Sequence, residues 1–192
     1  GIYNEQILET GSYIFKKRKE IIELLKNKIL SYYKLISSEK ETVNIEYKSQ
    51  LHKDTFDNLF KKNIEKDRVL CYTSCGVHRD DIDFLINDFA LKKAGSQGQQ
   101  KSFILALKFA EFELLKSKIN FKPLFLIDDL FDKLDKQRVL NIISFIANND
   151  FGQIFITDTD LDRIKLILKE INLDYKYFLI KNNTVYEKRV ED

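Results

Sequence analysis

One proline and six glycines in 192 residues leave no room for a Gly-, Ser- or Pro-rich linker. No internal repeat or low-complexity tract is present either, so the chain reads as one or two folded domains. Two cysteines are too few for a disulfide framework and suit a reducing compartment. No apolar stretch approaches the roughly 18 residues of a membrane span. Residues 1–9 carry Glu5 and Glu9 where a signal peptide would be basic and then apolar. These absences predict a soluble, cytoplasmic protein with no membrane partner. Methionine is missing altogether, the initiating residue included, and Ile2, Ile7 and Leu8 open straight into a helical pattern. The sequence is therefore expected to be a piece of a longer protein. With 32 basic and 30 acidic side chains the net charge is only +2, so any contact with nucleic acid must come from local clustering.

Cys71, Cys75 and His78, with His52 at a distance, invite a zinc reading. Residues 69–74 read as a strand, however, in which four positions span about 13 Å, too far for a shared metal or a disulfide. Two free thiols are expected instead.

What the chain does have is apolar material, 44% of its residues, enough for a real core. Ile7, Ile14, Ile21, Leu25, Leu30 and Tyr33 recur near helical spacing over residues 6–37, predicting a long amphipathic helix or a helical hairpin. Val43, Ile45 and Tyr47 alternate with Asn44, Glu46 and Lys48 as in a half-buried strand, and residues 53–65 return to a polar helical pattern. Residues 1–67 thus form an α-rich, arm-like module with one strand. In residues 68–192, segments 82–86 and 89–92 flank the turn residues Asn87 and Asp88 and predict a hairpin. A helix over 99–118 is apolar around most of its circumference and must be buried. The continuous apolar run 123–128, a helix over 135–147 and a second run over 153–157 make a βαβ unit, so the fold class is α/β. A helix over 161–171 and a terminal β-hairpin around Asn182 and Asn183 complete the reading.

Two constellations carry chemistry. Gly95-Ser96-Gln97-Gly98-Gln99-Gln100 opens the buried helix, where backbone N–H groups and a serine hydroxyl can cradle an anion and glycine allows close approach. An ordinary N-cap serine is the plain alternative. Leu124-Phe125-Leu126-Ile127-Asp128-Asp129 delivers two carboxylates to the carboxyl end of a buried strand, where α/β sheets bind ligands; the alternative is a pair that caps the next turn. Asp132-Lys133-Leu134-Asp135 and Thr157-Asp158-Thr159 follow in order.

Taken with Gly76-Val77-His78-Arg79-Asp80-Asp81, this succession resembles the RecF family, over about residues 3–162. The resemblance implies the C-terminal lobe of an ABC-type, P-loop NTPase ATPase head (residues 68–192) beside a helical arm-derived lid module. Ser96, Gln97, Gly98 and Gln99 would be the signature that reaches the γ-phosphate of ATP held by a second subunit. Asp128 would be the Walker B residue for Mg²⁺, Asp129 the catalytic carboxylate that orients water, and Asp135 the acid closing the D-loop. Thr157 or Thr159 would fall in the switch segment, with a helix cap at Asp160 as the alternative. His78 and Arg79 have only the family pattern in their favour. Val77 stands where the family usually has proline, so that turn lacks the fixed φ a proline ring would give it. The resemblance further implies an ATP-dependent homodimer that binds DNA without sequence preference at single-strand gaps. Such a dimer acts with RecO and RecR to load the recombinase RecA in recombinational repair and replication restart. DNA-binding candidates are Lys16, Lys17, Arg18 and Lys19, with Lys61, Lys62, Lys92 and Lys93 as further basic positions.

No glycine begins the Gly-x-x-x-x-Gly-Lys-Ser/Thr phosphate loop, so the Walker A half is absent. By itself the chain is expected neither to bind ATP tightly nor to hydrolyse it. Two rival readings remain. One is a receiver domain with Asp158 as phosphoacceptor and Lys181 as its partner, disfavoured because only 64 residues follow Asp128, too few for the remaining βα units. The other is a non-enzymatic interaction module.

Overall fold

The computed structural model describes residues 2–119, 121–170 and 175–188. Its first element is one unbroken helix, α1 (Ile2–Ser37), of 36 residues and about 54 Å, which settles the choice between a single helix and a hairpin. Its two halves live in different surroundings. Ile7 and Tyr13 are 48% and 62% exposed, whereas Ile29, Tyr33 and Ile36 are at 1% or less. The first half is an arm and the second half is its root.

After the root come β1 (Val43–Lys48), α2 (Phe56–Leu70), β2 (Asp81–Ile86) and β3 (Phe89–Ala90). β1 pairs antiparallel with β2, Val43 against Ile86 through Lys48 against Asp81, so the sheet order is β1-β2-β3. The boundary expected near residue 67 is thus crossed by a strand ladder. The main hydrophobic cluster also runs across it, from Ile29, Tyr33 and Val43 to Phe103, Phe109 and Ile142.

The strand expected over residues 69–74 does not form. Thr55 caps α2, its hydroxyl accepting from Asn58 N–H at 3.3 Å, and the helix runs on through Leu70 until Cys71 ends it in the left-handed region at φ 57°. Val69 projects into solvent, 84% exposed, and Leu70 and Tyr72 are 37% and 53% exposed, so the short apolar run that suggested a strand is not part of the core. Cys71 is exposed and Cys75 buried, both free. The expected second hairpin strand, 89–92, is cut to Phe89–Ala90 because Leu91 turns inward and starts the single-turn helix α3 (Leu91–Ala94).

The lobe consists of α4 (Gln97–Lys118), β4 (Phe125–Ile127), α5 (Lys136–Asn148), β5 (Ile154–Ile156) and α6 (Leu161–Glu170), followed by a hairpin of β6 (Tyr177–Lys181) and β7 (Thr184–Lys188). β4 and β5 are parallel, which makes the expected βαβ unit with α5 as crossover. Two burial expectations need correcting. α4 buries Phe103, Ala106, Phe109 and Ala110 but leaves the stripe Ile104, Lys108, Glu111 and Leu115 in solvent, so it is covered on one broad side and not all round. In β4 Phe125 and Ile127 are buried, while Leu126, and Leu124 just before the strand, are 72% and 62% exposed, so among the described residues only one of two apolar faces is covered. On the covered side Phe109, Phe112, Phe125, Phe145 and Phe151 stack and tilt against one another with centroids 4.6 to 5.8 Å apart. This aromatic block fixes α4 and α5 on the sheet.

Candidate functional site

Ser96 is the N-cap of α4, and the cap is reciprocal. Its hydroxyl accepts from Gln99 N–H at 3.2 Å, and the Gln99 side-chain oxygen accepts from Ser96 N–H at 2.7 Å. This capping box fixes the first turn and leaves Ser96 and Gln97 exposed at the positive end of a 22-residue helix. The cap that was the plain alternative to an anion loop is therefore present, and it is compatible with one.

Gly98 has a specific reason to be glycine. A Cβ there would lie 2.7 Å from the Lys133 carbonyl oxygen, so the start of α4 presses directly on the 129–135 loop. Lys101, one turn further on, donates to the carbonyl of Asp129 and, at 3.0 Å, to that of Asp132. Gly98, Lys101 and Ser102 share one helix face at i, i+3 and i+4 spacing. Lys101 was not singled out from sequence, although its place three residues after Gly98 is the signal that would have found it.

The loop that α4 grips is unusual in its backbone. Asp129 and Lys133 take positive φ, 53° and 61°, a conformation disfavoured for residues with a side chain and held only where surroundings fix it. Those surroundings come from the end of β5. The Thr157 hydroxyl donates to the Asp128 carboxylate and accepts from Asp129 N–H at 3.0 Å, while Leu130 N–H donates to the Thr157 carbonyl at 3.2 Å. Asp158 accepts from Phe131 N–H at 2.9 Å with one oxygen and from Asp160 N–H at 2.9 Å with the other. Both oxygens of Asp158 are thus used in holding loops, which speaks against a phosphoacceptor. The second oxygen of the exposed Asp128 and the carboxylate of half-buried Asp129 point to no described protein partner.

Asp135 caps α5, accepting from Arg138 N–H at 2.9 Å and from its Nε at 3.1 Å. Burial would raise its pKa, but those bonds and the guanidinium charge outweigh it and hold the carboxyl below its ordinary value. Ser96 and Gln99 are joined by their cap, Gly98 abuts the Lys133 carbonyl of the 129–135 loop, and Thr157 joins Asp128 and Asp129; Gln97 lies in the same first turn of α4 and Asp135 at the far end of the same loop. Among the described residues, no group of three or more His, Cys, Asp or Glu side chains is placed to hold a metal. Asp128 alone is a hard oxygen donor of the kind Mg²⁺ accepts, and that ion commonly takes one or two carboxylates and fills its shell with phosphate and water.

The basic candidates lie far along the arm and differ from one another. Consecutive positions turn through about 300° of helix, so Lys16, Lys17, Arg18 and Lys19 cannot share one face. Arg18 donates to the Val77 carbonyl at 2.6 Å and reaches Asp80 at 3.3 Å, and Asp80 also accepts from the Tyr47 hydroxyl. The Asp80 side chain is only 4% exposed, so the acid that follows Arg79 anchors the arm to the turn around residue 77. Lys17 pairs with Glu20 at 2.8 Å, Lys61 with Asp57 at 2.5 Å and Lys62 with Asp54 at 2.6 Å. His78 bonds the Thr73 carbonyl at 2.9 Å and Arg79 lies over the Tyr72 ring at 5.1 Å, so both serve the local turn.

No family model matches the chain. It is 46% identical to the DNA replication and repair protein RecF of Flavobacterium johnsoniae over 178 residues, which is 93% of this chain and 50% of that protein. It is 41% identical to the RecF of Phocaeicola vulgatus over 98% of this chain and 51% of that protein. The chain therefore spans about half the length of the curated relatives it matches. Among solved structures, the recombination mediator protein RecF with ATP, of the RecFOR pathway, superposes with a TM-score of 0.71 at 27% identity, covering 98% of this chain and 50% of that one. A structure from work on ATP-driven dimerisation of SMC ATPases superposes at 0.55 with 12% identity, a likeness of fold alone. Sequence and fold agree, and the chain corresponds to the C-terminal half of a RecF-family protein, a lobe of the ABC-type ATPase fold.

Proposed function

We propose that this chain is the half of a RecF-like DNA-repair ATPase that offers its signature loop to nucleotide held by a second subunit and supplies Asp128 and Asp129 to its own. One observation carries the reading. The start of α4, a helix terminus suited to an anion, is locked through Gly98 and Lys101 onto the loop that bears the paired acids and Asp135. Such a lock is what a surface needs if it must meet a phosphate group on one side and present a carboxylate to water on the other.

Within that reading Asp128 would hold Mg²⁺, which would neutralise charge on the phosphates. Thr157, by bonding Asp128 and the Asp129 backbone, sets the direction of both acids. Asp129, at its left-handed turn, is the acid free to orient water. The phosphate loop, the grip on the β- and γ-phosphates and the cover over Leu124 and Leu126 belong to the rest of the protein. The assembled protein would dimerise on ATP, bind DNA at gaps through backbone phosphates, and work with RecO and RecR in recombinational repair.

The test uses full-length protein. Asp129→Asn is expected to slow hydrolysis by about 10²- to 10³-fold while ATP-dependent dimers still form, as removal of one aligned catalytic group does elsewhere. Ser96→Arg is expected to leave ATP binding in each monomer and abolish dimerisation in sedimentation. Wild-type turnover in the first, together with wild-type dimerisation in the second, would reduce the site to a helix cap and a turn.

A further inference from the structure

Glu41 lies in the short connection between α1 and β1, outside every motif named above. Its side chain is 15% exposed, and that of Arg138 on α5 is 12% exposed. The two form an ion pair at 2.6 Å across 97 positions of sequence. The Glu41 carboxylate also accepts from the Tyr33 hydroxyl at 2.5 Å and from the Gln99 side-chain amide at 3.0 Å. Gln99 is the residue that closes the capping box with Ser96. Arg138 bonds Asp135 at 3.1 Å and, through another nitrogen, the Ser102 hydroxyl at 2.8 Å; Ser102 in turn donates to the Gly98 carbonyl at 2.7 Å.

One carboxylate at the root of the arm is therefore two bonds from Ser96 by way of Gln99, and two bonds from Asp135 by way of Arg138. Both side chains are nearly closed off from water, so neither can trade its partner for solvent without cost. An isolated capping box or a lone i,i+3 pair would leave each loop free to settle on its own. A shared acceptor forces them to settle together.

We propose that Glu41 is a positioning residue that sets the Ser96 loop and the Asp135 turn in register with each other and with the root of α1. The inference rests on the reading of these loops as the surface that meets nucleotide on a second subunit. Burial alone would raise the Glu41 pKa, yet the bonds from Tyr33, Gln99 and Arg138 hold it below the ordinary value, so the carboxylate is charged at neutral pH. A charged, three-donor hub keeps its geometry where a neutral one would not.

The test is made in full-length protein with three variants, measuring Mg·ATP binding to the monomer, ATP-driven dimerisation by sedimentation, and turnover. Glu41→Ala is expected to leave monomer ATP affinity within about twofold while weakening dimerisation and lowering turnover by about tenfold or more, as loss of a buried charge partner warrants. Glu41→Gln keeps the size and one acceptor oxygen but loses the charge and sets an amide N–H among donors, so it is expected to recover only part of that loss. Asn141→Ala is the control for mere loosening. The Asn141 amide grips the end of α1 by donating to the Leu35 and Ile36 carbonyls and the Ser38 hydroxyl, and it is not a partner of the Glu41 carboxylate. It is expected to lower the melting temperature and leave dimerisation unchanged.

Wild-type dimerisation and turnover in Glu41→Ala would overturn the proposal, and so would an Asn141→Ala defect as large as that of Glu41→Ala. Ser96→Arg, run alongside, separates the two levels of the argument. If it blocks dimerisation while Glu41→Ala does not, only the role of Glu41 falls. If Ser96→Arg dimerises normally, the reading of the loop beneath it falls.

Discussion

The arm and its root are one helix, yet they keep their charges in order by different means. Along the arm and α2 three of the ion pairs are local and wet, Lys17 with Glu20, Lys61 with Asp57 and Arg68 with Glu65, all three or four residues apart and substantially exposed; Arg18, which reaches the buried Asp80 carboxylate, is the exception. At the root the partners come from far along the chain. Glu41 meets Arg138 and Gln99, Lys28 meets Glu113 at 2.5 Å, and Asn141 caps the end of α1. Exposed local pairs are worth a few tenths of a kcal/mol, whereas stripping one partner from a buried pair costs about 3–5 kcal/mol. The arm is thus tolerant of change at its exposed pairs, though not at Arg18 or Gly11, whereas the place where it joins the lobe depends on its buried pair.

Arg138→Met should give the largest break in that comparison. It leaves Glu41 buried among neutral donors and removes the side-chain tie to Asp135, so a loss of about 3–5 kcal/mol in urea unfolding is expected. The same measurement on Arg68→Ala, whose pair with Glu65 is exposed on α2, should show a change of about 0.5 kcal/mol or less. Equal losses in the two variants would mean that the root pair is no more demanding than an exposed local pair.

Gly11→Ala should come next, because it is the one arm position where space decides the sign. Alanine is favoured over glycine inside a helix by about 1 kcal/mol. Here, however, its Cβ would lie 2.2 Å from Cε1 of Phe56, the ring that docks α2 on α1 and is 5% exposed. Overpacking of this kind costs about 1–3 kcal/mol, so net destabilisation is expected. Adding Phe56→Leu should recover part of it, and a stabilised Gly11→Ala alone would show that α2 is not seated on the arm as described.

The pH response sharpens the contrast without a new contact. Glu41 and Asp135, and also Glu113 through its bonds from Lys28 and Tyr32, have carboxyl groups held below their ordinary values in the folded chain. A depressed folded pKa contributes stability above the unfolded value and loses it as pH falls through the folded one. Urea midpoints should therefore drop on acidification through the carboxylate range. Glu41→Gln should flatten that limb, because the largely buried member of the three no longer titrates. An acid limb as steep as wild type would place the titrating groups elsewhere.

How much of this was legible in the sequence follows from what each feature depends on. The Ser96 turn and the Asp128-Asp129 pair could be read because their chemistry is carried by neighbours in sequence: a cap, a glycine, an apolar run ending in acids. The βαβ unit was readable for the same reason. Residues 69–74 misled because five apolar or β-prone side chains in a row, Val69 to Thr73, look alike in a strand and at a helix end, and only the cap at Thr55 and the left-handed Cys71 decide between them. Leu124 and Leu126 misled differently, since the pattern for two covered faces is there but one face is bare in this chain. Glu41 and Arg138 gave no signal at all. Their meaning lies in a meeting across 97 positions that no local pattern encodes.

The smallest expected effect lies on the arm's basic surface, if the arm meets DNA as proposed. Phosphate contacts each add about 0.9 to the slope of log affinity against log salt, and a strand running along a helix meets one face of it. Lys16 and Lys19 lie on one such face at i, i+3 spacing, while Lys17 is paired with Glu20 and Arg18 is turned to Asp80 and the Val77 carbonyl. Changing Lys16 and Lys19 together to glutamine in full-length protein should therefore lower the salt slope by about 1 to 2 without altering the melting temperature. Arg18→Gln should do the reverse, loosening the anchor at Asp80 and leaving the slope alone. Fluorescence anisotropy of a gapped duplex, titrated at several salt concentrations, reads the first quantity, and thermal unfolding reads the second. A slope that falls with Arg18→Gln and not with the lysine pair would assign the DNA-facing role to the wrong side of α1, and would mean that its link to Asp80 gives way when DNA binds.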